Sequence, residues 1–547
     1  MSLAPGSPST VYLDGATLTV EDVVTVAYGA PGAPYVAMTD AARETTVTVR
    51  RYVEENWLSP DAGPIYGINT GLGRLMDVRV PVAELDRFQR LIINAHSAGI
   101  GEPMQEHEVR ALLLLRVNAL SKGHSGIRIE CLDRLLAMLN LGVLPVIPWQ
   151  GSVGASGDLA PLAHMVSVMI GHEKAEARYR GERMPARDAL VAAGLEPDFA
   201  LAPKDVLAMI NGSTISLASA ILSLADAELL ARTADVAHAL SLEAVRGEKA
   251  AYDSRIHAAR NAEGQLESSE NTRRLIAGST LTTEDARRVK LPDENRPGDA
   301  YKPRVQDAYS FRCAPQVHGA AREGLRFARM LLTREANSAT DNPLIFANDA
   351  GGYDVVSGGN FHGEPIGYAA DLIAIAASEL GAISERRSFR LTDPNLSYGL
   401  PLNLVGGQLG LNTGFSIVHC SASAIASENK LLSMPSVIDS IPGKANQEDH
   451  VSMCTYSARK ARQVIANVQA ILGVEFILAA QGIDLAAPHL AGFALGEGTK
   501  AAYDRVRETI PQTKEDVYQS EWMYAAQALV KSGTVPAAVA TAIGALR

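Results

Sequence analysis

Aromatic side chains are scarce in this chain of 547 residues, at 5% of the total. β-Sheets draw on aromatic and β-branched residues, so this scarcity, beside abundant alanine, leucine and glycine, favours close-packed helices. Cysteine is rarer still. Cys131, Cys313, Cys420 and Cys454 stand far apart with no Cys-x-x-Cys pair. That spacing argues against a disulfide frame or a thiolate metal site and predicts buried thiols in a reducing compartment. Long basic runs are missing and the net charge is −11, which excludes nucleic acid as the expected partner. Residues 1–6 lack the basic start and apolar core of a signal peptide, so the expected location is the cytoplasm. Residues 206–225 carry no charge, but Asn211, Gly212 and several serines interrupt them. A buried helix is expected there, and no membrane partner.

What is present is a globular composition, 47% hydrophobic against 20% charged, in a chain long enough to bury a large core. Alanine and leucine recur at three- and four-residue spacing over residues 365–387, 412–432 and 457–481, which predicts long packed helices. Further helical patterning covers 41–56, 84–144 (broken at 94–101), 214–243 and 498–547, with short extended pieces at 11–13 and near 344–346. Residues 252–304 are charge-rich and expected to be mobile. The fold expected is mainly α. A smaller mixed N-terminal region, 1–204, precedes a long-helix bundle with a helical tail, 205–547.

The stretch Gln150-Gly151-Ser152-Val153-Gly154-Ala155-Ser156-Gly157-Asp158 has chemistry open to it. Small residues permit close backbone approach and unusual dihedrals. The Gly157 amide can attack the Ala155 carbonyl carbon. Loss of water, including the Ser156 hydroxyl, then leaves a five-membered ring with an exocyclic methylene, an electrophile that no ordinary side chain offers. The same glycines also suit a phosphate-cradling loop at a helix start, or a dinucleotide loop through Gly151, Gly154 and Gly157.

Other candidates follow along the chain. Tyr66 opens the turn-rich loop Tyr66-Gly67-Ile68-Asn69-Thr70-Gly71-Leu72-Gly73, and suits proton transfer or a plain loop position. His96, in Asn94-Ala95-His96-Ser97-Ala98-Gly99, suits a pocket wall or a satisfied core position. Asn211 precedes Gly212 inside an apolar run and must find partners if buried. Arg312 offers a planar fork for a carboxylate, with Tyr309 three residues earlier and Gln306 upstream. Ser338-Ala339-Thr340-Asp341-Asn342-Pro343-Leu344-Ile345-Phe346 turns into an extended piece, because Pro343 biases Asn342 away from helix. His362 and Glu364 lack a third ligand at useful spacing, so no metal is expected. Glu448 and Asp449 in Asn446-Gln447-Glu448-Asp449-His450-Val451-Ser452-Met453 suit a helix N-terminus or a substrate contact.

Taken together and in this order, these motifs resemble the aromatic amino acid ammonia-lyases and aminomutases, the family that carries 4-methylideneimidazol-5-one (MIO). The resemblance implies a fumarase/aspartase-like helix bundle, and MIO formed from Ala155, Ser156 and Gly157 with neither metal nor nucleotide. It implies Tyr66 as the base that removes the β-proton and Arg312 as the carboxylate anchor. His96, Asn211, Gln306, Tyr309, Phe346 and Glu448 are then expected around the ring or the substrate. It further implies a homotetramer whose sites combine residues of three chains. His96, Gln306 and Glu448 point to histidine, the substrate expected first. Ala95, Thr214 and the long tail point instead to tyrosine or phenylalanine, with ammonia released or returned as in a 2,3-aminomutase. A dead scaffold that keeps the fold without the ring is the remaining alternative.

Overall fold

The computed structural model describes residues 10–59, 61–291, 304–443 and 446–547. Four helices, Thr214–Ala244, Ala314–Ala336, Glu364–Thr392 and Cys454–Ala486, pack on one another as a bundle. Ser416–Leu432 and Gln519–Ser532 lie against it. Small residues set the packing distance. A Cβ at Gly381 would stand 3.0 Å from Val468 Cγ2, and one at Gly473 2.9 Å from the Ala526 backbone, so both helix pairs approach closely because glycine leaves room. Thr214–Ala244 is buried on nearly every face, which is why its sequence shows apolar residues all round rather than one stripe. That helix, Glu364–Thr392 and Cys454–His489 are long and apolar enough to cross a membrane, yet 78%, 67% and 72% of their most apolar windows are buried within the protein.

The N-terminal part is mixed, as expected. A parallel pair joins Val11–Leu13 to Val36–Met38, an antiparallel pair joins Ile100–Pro103 to Pro148–Gln150, and a three-stranded sheet is ordered Leu144–Pro145, Glu176–Tyr179, Glu182–Pro185. One further hairpin, Leu344–Ala347 with Tyr353–Val356, lies beyond residue 204. A single buried apolar cluster runs from Leu13 to Leu546 and includes residues from both sides of that boundary.

Three expectations need correcting. The helical stretch 84–144 has a second break between Glu106–Leu120 and Ile129–Leu141, where Gly123 and Gly126 take positive φ. Residues 252–291 are not a mobile run: they form the helices Ser254–Arg260, Glu263–Leu275 and Glu284–Arg288, the second packed on Ala314–Ala336. Its Glu267 pairs with Arg322 and Arg326 of Ala314–Ala336, while Gln265, Ser268, Asn271 and Thr272 are buried and hydrogen-bonded. Residues 292–303, and the N-terminal stretch read for a signal peptide, lie outside the described residues. Finally, Cys131 and Cys454 are buried, but Cys313 is half-buried and Cys420 exposed.

Candidate active site

Backbone docking, more than side chains, shapes the centre of the site. Gly154 and Gly157 have φ of +69° and +72°, which residues with a Cβ resist. A Cβ at Gly157 would fall 2.2 Å from the Gly212 backbone, and one at Gly154 2.3 Å from Ser452 Oγ. The Asp158 amide donates to the Gly212 carbonyl at 2.9 Å, the Met453 amide to Val153 at 2.9 Å, and the Gly363 amide to Gly154 at 3.1 Å. Ser213, Gly363 and Met453 cap the N-termini of three bundle helices. The loop bearing Ala155, Ser156 and Gly157 is therefore clamped where three helix N-termini converge, a place of positive potential.

Asp158 answers that potential from below. It is fully buried and accepts from Ser152 Oγ (2.8 Å), Ser216 N (2.9 Å), Ser216 Oγ (3.0 Å) and Thr455 Oγ1 (2.8 Å). Burial pushes its carboxyl above the ordinary carboxylate value although these donors pull the other way. The loop and the first turns of two bundle helices are thus tied to one carboxylate.

Above the loop opens a cleft of about 1410 Å³, whose walls include Tyr66, His96, Ala155, Ser156, Asn211 and Glu448. The Ser156 hydroxyl donates to Glu448 Oε1. The Tyr66 oxygen accepts from the Gly73 amide at 3.2 Å, which orients the ring within its loop. His96 Nδ1 lies 2.8 Å from the Ile92 carbonyl; a carbonyl only accepts, so Nδ1 carries a proton. Asn211 is 4% exposed and its Nδ2 donates to the Asn342 carbonyl at 3.1 Å. Its Oδ1 is buried with no partner among the described residues, and such an acceptor costs free energy unless something fills the gap.

Gln306, Tyr309, Arg312 and Phe346 do not line this cleft. Gln306 is exposed and Tyr309 is 70% exposed. The Arg312 guanidinium lies over the Tyr309 ring at 4.5 Å, and its Nε donates to the Asp307 carbonyl at 3.0 Å. Phe346 is exposed beside His124, with ring centroids 4.9 Å apart.

The chain matches the aromatic amino acid lyase family over residues 18–508. It is 47% identical over 529 residues to a histidine ammonia-lyase of Anaeromyxobacter sp. (strain K), spanning 96% of this chain and 99% of that one. It belongs to the aromatic amino acid lyase family. Among solved structures, a histidine ammonia-lyase from Trypanosoma cruzi shares 38% identity with a TM-score of 0.85, over 98% of this chain and 96% of that one. A tyrosine aminomutase from Streptomyces globisporus shares 36% with a TM-score of 0.88, over 98% and 100%.

For a member of this lyase family, one residue takes on a different meaning from its sequence reading. Thr214, which counted against histidine, is buried and receives Arg116 Nη1 at 2.9 Å rather than lining the cleft. Arg116 itself is buried beneath Gly212, and burial lowers its pKa to about 10. Asp158 and Asn342 escaped the motif reading as site residues. Asp158 directly follows Gly157, the one local hint. Asn342 lines the cleft and takes the Gly358 amide on its Oδ1 at 2.7 Å, which no local pattern announces.

Proposed function

We propose that this chain is a histidine ammonia-lyase that eliminates ammonia from L-histidine to give urocanate. The observation that carries the reading is the meeting of Ser156 and Glu448 in a cleft shared with Tyr66 and His96. Near full-length identity to histidine ammonia-lyases supports it. Ala155, Ser156 and Gly157 are the proposed source of MIO. The residues fit such a group on one observation in particular: Ser156 opens on the cleft from a cradle so tight that a Cβ at Gly157 would fall 2.2 Å from the Gly212 backbone, while the buried, unpartnered Asn211 Oδ1 in the same cleft is an acceptor for the substrate amine. Bound there, MIO supplies the electrophile that makes the amino group a leaving group.

The chain's own residues do the rest. Tyr66, oriented by the Gly73 amide, takes the β-proton on its oxygen. Glu448 and His96 present polar groups to the substrate imidazole. Arg312 takes the substrate carboxylate, with Gln306, Tyr309 and Phe346 beside it. Because those four lie outside the protomer's own cleft, the proposal includes a cytoplasmic homotetramer in which they complete a neighbour's site. Exposed apolar side chains, among them Leu411, Ile417, Leu431, Met434 and Ile438, support burial against further copies. Residues 1–204 then carry the Tyr66 loop and the ring segment, and 205–547 the bundle and tail.

Intact mass tests the ring: the purified protein is expected to weigh less than its sequence by two waters, and an unmodified mass defeats the reading. A panel of histidine, tyrosine and phenylalanine, followed by ultraviolet absorbance and by analysis for β-amino acids, tests the substrate. Turnover of tyrosine and not histidine would establish the second reading, a tyrosine lyase or aminomutase, which the TM-score of 0.88 to a tyrosine aminomutase favours. Shared sites predict that mixing Tyr66→Phe and Arg312→Ala protein during refolding restores part of the activity that each lacks alone.

A further inference from the structure

The turn that carries Arg312 has two faces. Outward stand Tyr309 and Arg312; inward, Phe311 is buried at 1% exposure and the carbonyls of Ser310 and Phe311 enter a polar pocket in the bundle. Tyr252, 1% exposed, donates its hydroxyl to the Phe311 carbonyl at 2.9 Å. His238, fully buried on Thr214–Ala244, places Nε2 at 2.9 Å from that hydroxyl and 3.2 Å from the same carbonyl. The carbonyl accepts and the tyrosine proton is already given to it, so His238 Nε2 must be the donor. His238 Nδ1, the unprotonated nitrogen of that tautomer, has no partner among the described residues. Arg387 reaches the Ser310 carbonyl at 3.3 Å while paired through both nitrogens with buried Glu475 at 2.5 and 2.9 Å. None of these groups touches the cleft.

We propose that Tyr252 and His238 are positioning residues for Arg312: by holding the Phe311 carbonyl they set the direction in which the guanidinium leaves the turn. The inference rests on the reading of Arg312 as the substrate-carboxylate anchor. Among the described residues, Arg312 is held by its Nε bond to the Asp307 carbonyl and by the Tyr309 ring beneath its guanidinium, both of the same turn, so the geometry of that turn aims its fork. Asp307 is fixed in turn by Arg304 Nη1 at 2.9 Å and by the Glu248 amide at 2.5 Å. A tilt in a four-residue helix, Tyr309–Arg312, moves the end of so long a side chain much farther than its backbone.

The test compares Tyr252→Phe and His238→Gln with Arg312→Lys in the full-length enzyme. Two ligands are used: the amino acid substrate, and its decarboxylated amine as a competitive inhibitor. Tyr252→Phe removes one hydrogen bond and is expected to raise KM about 3- to 10-fold, with kcat nearly unchanged and the amine's inhibition constant unmoved. In an Arg312→Lys background the same change should add little. His238→Gln, which keeps a donor, should give a smaller KM rise of the same kind, and it decides the matter if Tyr252→Phe does not fold. Equal weakening of substrate and amine overturns the proposal, because it marks general loosening. An unchanged KM in both variants, while Arg312→Lys raises it, overturns the positioning role alone. If Arg312→Lys leaves KM unchanged, the carboxylate reading falls and takes this inference with it.

Discussion

The loop around Ser156 and the turn around Arg312 are built by opposite means. The first is clamped by backbone hydrogen bonds to Gly212, Met453 and Gly363 and by a buried carboxylate that ties the loop to Ser216 and Thr455. Its side chains face a cleft of the same protomer. The second is clamped from behind by Tyr252, His238 and Arg387, and its side chains face outward. One region is sealed around a backbone segment; the other is stiffened so that a cation projects. On the proposed reading, the difference teaches that a protomer can hold the whole segment that forms the electrophile and still present its carboxylate anchor to something beyond itself.

The comparison can be broken most severely at Ser156. Ser156→Ala keeps the clamp but removes the hydroxyl that leaves during ring formation. Turnover should fall by more than the on-the-order-of 10⁴-fold that proton transfer contributes at most, and intact mass should show no loss of two waters. A variant that retains turnover would remove the chemical reason for the sealed loop.

Tyr66→Phe sharpens the comparison within the cleft. Loss of the general base should lower kcat by roughly 10²- to 10⁴-fold while the mass signature of the ring persists, since Tyr66 belongs to a separate loop. A kcat within a few-fold of the unsubstituted enzyme would move the base elsewhere, with His362 and His450 on the same cleft wall the next residues to substitute.

The smallest expected effect lies on the helix that joins the two regions, Thr214–Ala244. Glu243 is buried there, accepts the Gly496 amide at 2.9 Å, and is pushed by burial up to about 7. Its folded pKa exceeds the ordinary 4.5, so the folded chain holds the proton more tightly than the unfolded one. The stability this contributes is complete below 4.5 and is lost as pH rises through 7. Glu243→Gln should flatten the decline of Tm between pH 5 and 8 by a few degrees (~2–4 °C), with KM and kcat at a fixed pH unchanged. Parallel pH profiles for the two proteins would show that Glu243 does not titrate in this window.

Much of the architecture was legible because helical periodicity is local. Residues 365–387 and 457–481 announced their helices through alanine and leucine spacing, and the helices extend a few residues farther at each end, to Glu364–Thr392 and Cys454–Ala486. In the cleft, Tyr66, His96, Ala155, Ser156, Asn211 and Glu448 stood out one motif at a time, and the fold brings them together. Residues 252–291 misled because the charge of Glu263–Leu275 is paired with partners distant in sequence, Glu267 with Arg322 and Arg326, while its Ser268 and Asn271 are buried against Asp235. Thr214 misled because its partner, Arg116, lies 98 residues away.

By itself the sequence determined the long bundle helices, the order of the motifs and the chemical identity of the segment proposed to form the ring. Each of these follows from neighbouring residues: side-chain periodicity, or an alanine, a serine and a glycine joined by peptide bonds. Only the tertiary structure decided that Gly157 closes against Gly212, that Asp158 ties Ser152 to Ser216 and Thr455, and that Arg312 faces away from the cleft beside Ser156. Those facts depend on contacts between residues far apart in the chain, and on which of two faces a turn buries. Packing settles such choices, and a local sequence pattern does not carry them.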